Sequence, residues 1–167
     1  MENVRLDMIV RDSSLVTPAL VIDHETISTT YARFIASFPG AAIDYAMKAN
    51  ANPEIVRHIV ALGGGLEIAS PAELQVALNA GASGDQIICS NPIKTPAFLQ
   101  ALQAADVYAV VVDSVYEVEK VARYAPAMRV YVRLAVDNTG AVLPLAASLA
   151  SMARPRSNSS IWRATSA

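Results

Sequence analysis

The sequence predicts an α/β fold in which strands and helices alternate along the chain. Short runs rich in Ile, Val and Ala recur roughly every 20 to 23 residues, and a stretch with the composition of a helix follows each of the first four. The runs are apolar almost throughout and do not alternate with polar residues. This is typical of parallel strands that have both faces covered.

The predicted strands are, in chain order, AAIDYAMK from residue 41, GLEIAS from 65, QIICS from 86, YAVVVDS from 108 and MRVYVRLAV from 128. The predicted helices between them are NPEIVRHIVALG, SPAELQVALNAGA, TPAFLQALQAA and SVYEVEKVARYA. Doubly wound sheets and (β/α)8 barrels are both built from this repeating unit. The periodicity alone therefore leaves these two architectures open.

The predicted helices carry recognisable start and stop signals. Three of them begin with a capping side chain followed by a proline suited to the first turn, at Asn52-Pro53, Ser70-Pro71 and Thr95-Pro96. Gly63 and Gly81 follow two of these helices, as C-terminal caps do. The glycine run 63–65 trails a helix and lacks the spacing of a phosphate-binding loop, so we interpret it as a helix stop before a strand.

The composition is that of a globular domain, with 53% hydrophobic and 17% charged residues in a chain of 167. A net charge of -2 and a pI near 5.6 give no general attraction to nucleic acid or to an anionic membrane. No apolar run reaches the roughly 18 residues of a membrane-spanning helix, so we expect a cytoplasmic protein. The single cysteine, Cys89, excludes an intrachain disulfide and is expected in the core, and we expect no metal site.

The composition changes at residue 142. Residues 142–167 contain three arginines, many Ala and Ser residues and no acidic residue, whereas all 15 acids lie earlier. A natural low-complexity tail and a coding sequence read out of frame both produce such a segment, and we favour the second. We therefore divide the chain into residues 1–141, which carry the fold, and an atypical, possibly disordered tail at 142–167.

Lys48 is the first candidate for chemistry because it closes the first predicted strand, in DYAMKANANP. Parallel α/β folds present their functional side chains at the carboxyl ends of the strands. A lysine at such a position is either a solvated strand end or a reactive group. The residue type and its position do not decide between these two interpretations.

The segments YAMKAN and GGGLEIAS together resemble the alanine racemase-type enzymes, the fold type III enzymes that use pyridoxal 5'-phosphate (PLP). SNPIKTPAFL and VRLAVDNTGA are more similar to the ornithine and lysine decarboxylases than to the diaminopimelate decarboxylases. The resemblance covers roughly residues 14–141. It implies the N-terminal part of a PLP-binding (β/α)8 barrel that is truncated after about five strands.

The resemblance implies that Lys48 bonds covalently to the cofactor aldehyde, and that Glu67 and Arg133 lie beside the cofactor. We expect desolvation at the strand end to favour the neutral Lys48 amine, because only that form attacks a carbonyl carbon. We also expect an acidic or anionic partner for Arg133, since an unpaired cation in an apolar strand is costly. Structural roles for Glu67 and Arg133 stay open. The segment 91–94, NPIK, is either a family motif or a proline turn with a solvated lysine.

The implied activity is decarboxylation of a basic amino acid, most simply ornithine to putrescine in polyamine synthesis. In such enzymes the phosphate site, the carboxylate that pairs with the pyridine nitrogen and the residues at the homodimer interface lie beyond the position of residue 141. We therefore expect this chain to be inactive alone and to leave apolar surface exposed. The alternative is a non-enzymatic relative that binds the cofactor or docks on an intact decarboxylase.

Overall fold

The computed structural model describes residues 8–12 and 14–134. Between residues 24 and 132 it contains five strands and five labelled α-helices. They are α1 (His24–Ser37), α2 (Pro53–Ala61), α3 (Pro71–Asn79), α4 (Pro96–Ala104) and α5 (Val115–Tyr124). The strands are β1 (Asp44–Ala46), β2 (Gly65–Ile68), β3 (Ile87–Cys89), β4 (Ala109–Val112) and β5 (Arg129–Val132). The predicted tail at 142–167 lies outside the described residues.

The strands form one parallel sheet in the order β1-β2-β3-β4-β5. Each strand is hydrogen-bonded to the next one along the chain, with a helix between them, and the order has no reversal. A doubly wound sheet reverses its strand order at a switch point, whereas a (β/α)8 barrel adds each strand on the same side. The prediction of a partial barrel is therefore confirmed, and the strand order decides what the periodicity left open.

The predicted caps form as expected. The Asn52, Ser70 and Thr95 side chains accept the backbone N–H of Glu54, Glu73 and Phe98 at 2.9, 3.2 and 3.2 Å. Gly63 and Gly81 follow their helices with φ of 81° and 89°, in the left-handed region that favours glycine. These local signals place the helix ends without any tertiary contact.

One face of the sheet packs against the helices. Burial alternates along β2 and β3, so that Leu66, Ile68, Ile87 and Cys89 are buried on the helix side while the residues between them are half-buried. The expectation that both strand faces would be covered is met at β4, where the adjacent residues Ala109 and Val110 are both buried, whereas one face of β2 and β3 is only half-buried. The second face is the interior of a barrel, which a sheet of five strands does not enclose. Cys89 is buried in the core, as predicted.

Helix α1 was not predicted from the sequence. Asp23 caps it by accepting the Glu25 N–H at 3.0 Å, and none of its residues is fully buried. It packs beside α2, where His58 Nε2 lies 2.8 Å from Ser28 Oγ. A mainly apolar cavity of about 560 Å³ separates α1 from the free edge of β1. Within the described part of the chain, no helix is long and apolar enough to cross a membrane.

Candidate active site at the carboxyl edge of the sheet

Lys48 and Glu67 meet at the carboxyl edge of β1 and β2. Ala46 pairs with Glu67 in the parallel register, and the Met47 N–H donates to the Glu67 carbonyl at 3.0 Å, so the ladder continues past the end of β1. Lys48 Nζ then lies 3.7 Å from Glu67 Oε2. The two residues that the sequence assigned separately therefore form one ion pair.

The two members of this pair differ in exposure. The Lys48 side chain is 68% exposed, whereas the Glu67 side chain is 13% exposed. The expectation that Lys48 would be desolvated at the strand end is wrong for the described residues. The reason is that Lys48 stands in a turn beyond β1, on the sheet face that the five strands leave open.

Glu67 has a second polar partner that the sequence analysis missed. Ser90, the residue after β3, donates its hydroxyl hydrogen to Glu67 Oε1. Strand alternation could have revealed this contact, because Glu67 pairs with Ile88 and Ser90 lies two residues further on the same face. Asp44 approaches from β1, where burial first and then the negative charge of Glu67 raise the pKa of its carboxyl group.

Arg133 follows β5 at the same edge of the sheet. Its backbone N–H donates to the Val112 carbonyl at 2.8 Å, and its side chain is half-buried. Within residues 8–12 and 14–134, no carboxylate forms an ion pair with its guanidinium, so the expected acidic partner is not found there. The structure records no contact between Arg133 and the Lys48–Glu67 pair.

Lys94 is enclosed by the protein and is not solvated. Its side chain is 0% exposed, and Nζ donates to the carbonyl oxygens of Asn91, Pro92 and Val111 at 3.0, 3.2 and 2.6 Å. Glu117 Oε2 lies 3.6 Å away. The interpretation of Lys94 as a solvated lysine is therefore wrong.

Lys94, Glu117 and Lys120 form a buried charge cluster that the sequence analysis also missed. Lys120 Nζ donates to Glu117 Oε1 and, at 2.9 Å, to the Lys94 carbonyl. Burial lowers the pKa of Lys94, and the nearby Glu117 carboxylate opposes this shift. The cluster ties the segment before α4 to β4 and α5, and it does not contact the Lys48–Glu67 pair.

Sequence comparison identifies the family. The family described as "Pyridoxal-dependent decarboxylase, pyridoxal binding domain" matches residues 24–152. The chain belongs to this family. PLP, the cofactor expected from the resemblance, is thus the cofactor of the family.

The relatives of this chain agree with the family assignment. It is 34% identical over 129 residues to the lysine/ornithine decarboxylase of Selenomonas ruminantium, covering 77% of this chain and 33% of that protein. Among solved structures, SrLDC in complex with PLP and cadaverine matches at a TM-score of 0.73 and 30% identity, over 87% of this chain and 38% of the other.

The lysine/ornithine decarboxylase of Vibrio vulnificus, solved with putrescine, matches at a TM-score of 0.70 and 27% identity, over 78% of this chain and 35% of the other. The chain thus spans about a third of the length of these relatives. The coverage agrees with the predicted partial barrel.

The described residues fit the aldehyde end of PLP. Lys48 supplies a solvent-accessible primary amine above the carboxyl edge of a parallel sheet, and Glu67 supplies an adjacent negative charge. The same carboxylate would repel a phosphate, so Glu67 would suit the aldehyde end of the cofactor and not its phosphate end. Lys94 is unsuited to the covalent role, because three carbonyl oxygens already accept hydrogen bonds from its ammonium group.

Proposed function

We propose that this chain is the N-terminal barrel part of a PLP-dependent decarboxylase of basic amino acids, with Lys48 as the lysine that bonds to the cofactor. One observation carries the proposal. The sequence has three lysines, and Lys48 alone combines a largely exposed amine with a position at the carboxyl edge of the sheet. Lys94 is enclosed, and Lys120 is 28% exposed and bonded to Glu117.

Bound PLP supplies an aldehyde for a lysine amine and a conjugated ring that accepts the electron pair left when carbon dioxide departs. The residues of this chain position the reacting amine. Glu67 Oε2, 3.7 Å from Lys48 Nζ, holds the amine group at the carboxyl edge of the sheet, where its exposed nitrogen would be accessible to the cofactor aldehyde. Arg133 is proposed to contact an anionic group of the cofactor or the substrate.

Ornithine is the proposed substrate and putrescine the proposed product, as in polyamine synthesis. The relatives support a basic amino acid of this class, since one is a lysine/ornithine decarboxylase and the structural matches contain cadaverine or putrescine. We further propose that the chain alone does not decarboxylate. The five described strands leave the second sheet face open to water, and an open site lacks the water-excluded, pre-organised surroundings that stabilise charge developing during the reaction.

The attachment site can be tested without activity. The purified chain would be mixed with PLP, reduced with borohydride and digested, and the three lysine-containing peptides would be quantified by mass spectrometry. We expect the label on Lys48 and its loss in Lys48→Arg, which keeps the charge but removes the reactive amine. Equal labelling of Lys48 and Lys120, or no label on Lys48, would refute the assignment.

Activity and substrate can be tested in a fusion. Residues 1–134 would replace the matching segment of the Selenomonas ruminantium lysine/ornithine decarboxylase, and carbon dioxide release would be measured with ornithine, lysine and arginine. We expect release from ornithine and none from the Lys48→Ala fusion. A Lys48→Ala fusion that retained activity would contradict the catalytic role of Lys48, and a preference for lysine or arginine would correct the substrate.

A second candidate is a non-enzymatic partner of an intact decarboxylase. The exposed strand β5 favours it, since Tyr131 and Val132 are 49% and 63% exposed in the described chain. Adding the chain to the intact Selenomonas enzyme and measuring association and decarboxylation would separate the two candidates. A regulatory partner binds and changes the rate, whereas the isolated part of an enzyme leaves the rate unchanged.

A further inference from the structure

We propose that Ser90 is a positioning residue that acts on Lys48 through Glu67, an inference that rests on the proposed function of Lys48. The two oxygens of the Glu67 carboxylate have different partners. Oε1 accepts the Ser90 hydroxyl hydrogen, and Oε2 lies 3.7 Å from Lys48 Nζ. Fixing the first oxygen fixes the direction of the second, because both belong to one planar group.

The backbone holds Ser90 in place for this role. The Ser90 N–H donates to the Ile68 carbonyl at 3.1 Å, which extends the β2–β3 ladder by one residue. The next residue, Asn91, donates its side-chain amide to the Ala69 carbonyl at 3.0 Å. The hydroxyl is therefore carried on a backbone that is hydrogen-bonded to the strand of Glu67 and to its continuation. A serine on a free loop would not define the carboxylate direction in this way.

The surroundings of Glu67 make this hydrogen bond consequential. The side chain is only 13% exposed, and Asp44 places a second carboxyl group nearby. Without the Ser90 donor, Oε1 would lose its polar partner beside a like charge. The Glu67 carboxylate would then turn toward solvent and away from Asp44, and Lys48 would lose its neighbouring negative charge.

The test uses acetic anhydride labelling of the three lysines across a pH series, without cofactor, and reads each lysine by peptide mass spectrometry. Only the neutral amine reacts with the anhydride, and a nearby negative charge favours the protonated form. Loss of that charge therefore increases labelling at any pH at which labelling is less than half complete. Because Lys48 is largely exposed, Glu67→Gln should increase its labelling by about fivefold at most, the upper end for an exposed ion pair. Ser90→Ala should change Lys48 labelling in the same direction by no more than Glu67→Gln does, and Ser90→Thr, which keeps the hydroxyl, should show the wild-type profile.

The double variant Ser90→Ala/Glu67→Gln should match Glu67→Gln alone, because Ser90 acts through that carboxylate. Lys120, which does not contact this site, should keep its profile in every variant and so reports an intact fold. An unchanged Lys48 profile in Ser90→Ala, or an effect that persists in the Glu67→Gln background, would overturn the inference. The PLP labelling test fails independently of this one. If PLP attaches to Lys48 but Ser90→Ala does not change Lys48 labelling, only the inference about Ser90 is refuted. If Ser90→Ala changes Lys48 labelling but PLP does not attach to Lys48, the proposed function is refuted.

Discussion

Replacing Lys94 with methionine should destabilise the protein more than any other single lysine substitution. Methionine keeps most of the apolar stem but removes the ammonium group. The three carbonyl oxygens of Asn91, Pro92 and Val111 would then lose a buried donor, and Glu117 would lose one of its two lysine partners. The side chain is 0% exposed, so water cannot replace the lost hydrogen bonds.

The magnitude follows from the balance of two effects. Removing one partner of a buried charge pair costs about 3–5 kcal/mol. The pKa of Lys94 is lowered by burial, which means that the folded chain already bears a cost for holding this charge. We therefore expect the lower end of the range, a loss of about 3 kcal/mol in the free energy of unfolding at pH 7.

Urea unfolding followed by circular dichroism would measure this loss, with Lys120→Met as the matched control. Lys120 bonds to the same Glu117 carboxylate but is 28% exposed, so its removal should cost about 1 kcal/mol or less. The folded chain holds the Lys94 proton less tightly than the unfolded chain does, because burial lowers the pKa of this residue. The stability of the wild type should therefore rise as the pH approaches the usual lysine pKa of 10.5, and Lys94→Met should not show this rise. Equal losses in the two variants, or a loss below about 1 kcal/mol for Lys94→Met, would refute the reasoning.

Three further predictions concern the rest of the fold. Burial raises the pKa of Cys89 from 9.0 to about 11, so the folded chain holds the thiol proton more tightly than the unfolded chain. The free energy of unfolding of the wild type should therefore fall between these two pH values relative to that of Cys89→Ala. The same pH dependence of stability in both proteins would contradict this. Gly84→Ala should lower the free energy of unfolding by about 3 kcal/mol, because the added Cβ would overlap two backbone carbonyls. Gly40→Ala should lower it by only about 1 kcal/mol, because Gly40 has a φ of 84° but no neighbour within 4 Å of the added Cβ. Thermal unfolding of the two variants would measure the difference. Asn52→Ala should cost about 1 kcal/mol in the same assay by removing the helix cap, and Asn52→Ser should restore most of it.

Local sequence signals were sufficient for most of the secondary structure. Capping side chains, prolines and glycines act within one turn of chain, so the ends of α2, α3 and α4 could be predicted without knowledge of the fold. Helix α1 was missed because no proline marks its start and its faces remain partly exposed. Its Asp23 cap was the available signal.

The candidate site could be predicted only in part. Lys48 and Glu67 were found because each follows or belongs to a strand in a segment that resembles a known family. Their contact and the part played by Ser90 depend on the register between three strands, and a one-residue change of register would turn these side chains to the opposite face. The exposure of Lys48 was mispredicted, because solvent access at a strand end depends on what covers the sheet face.

The sequence by itself determined the α/β class, the four crossover helices and the family, since hydrophobic periodicity, capping and motifs are local properties of the chain. Only the tertiary structure decided that the strands add in sequential order, that Lys94 is enclosed by carbonyl oxygens and that Glu67 lies between Ser90 and Lys48. The physical reason is that the contacts of Lys94 with Val111 and of Ser90 with Glu67 join residues 17 and 23 positions apart in the chain, which the pairing of neighbouring strands brings together.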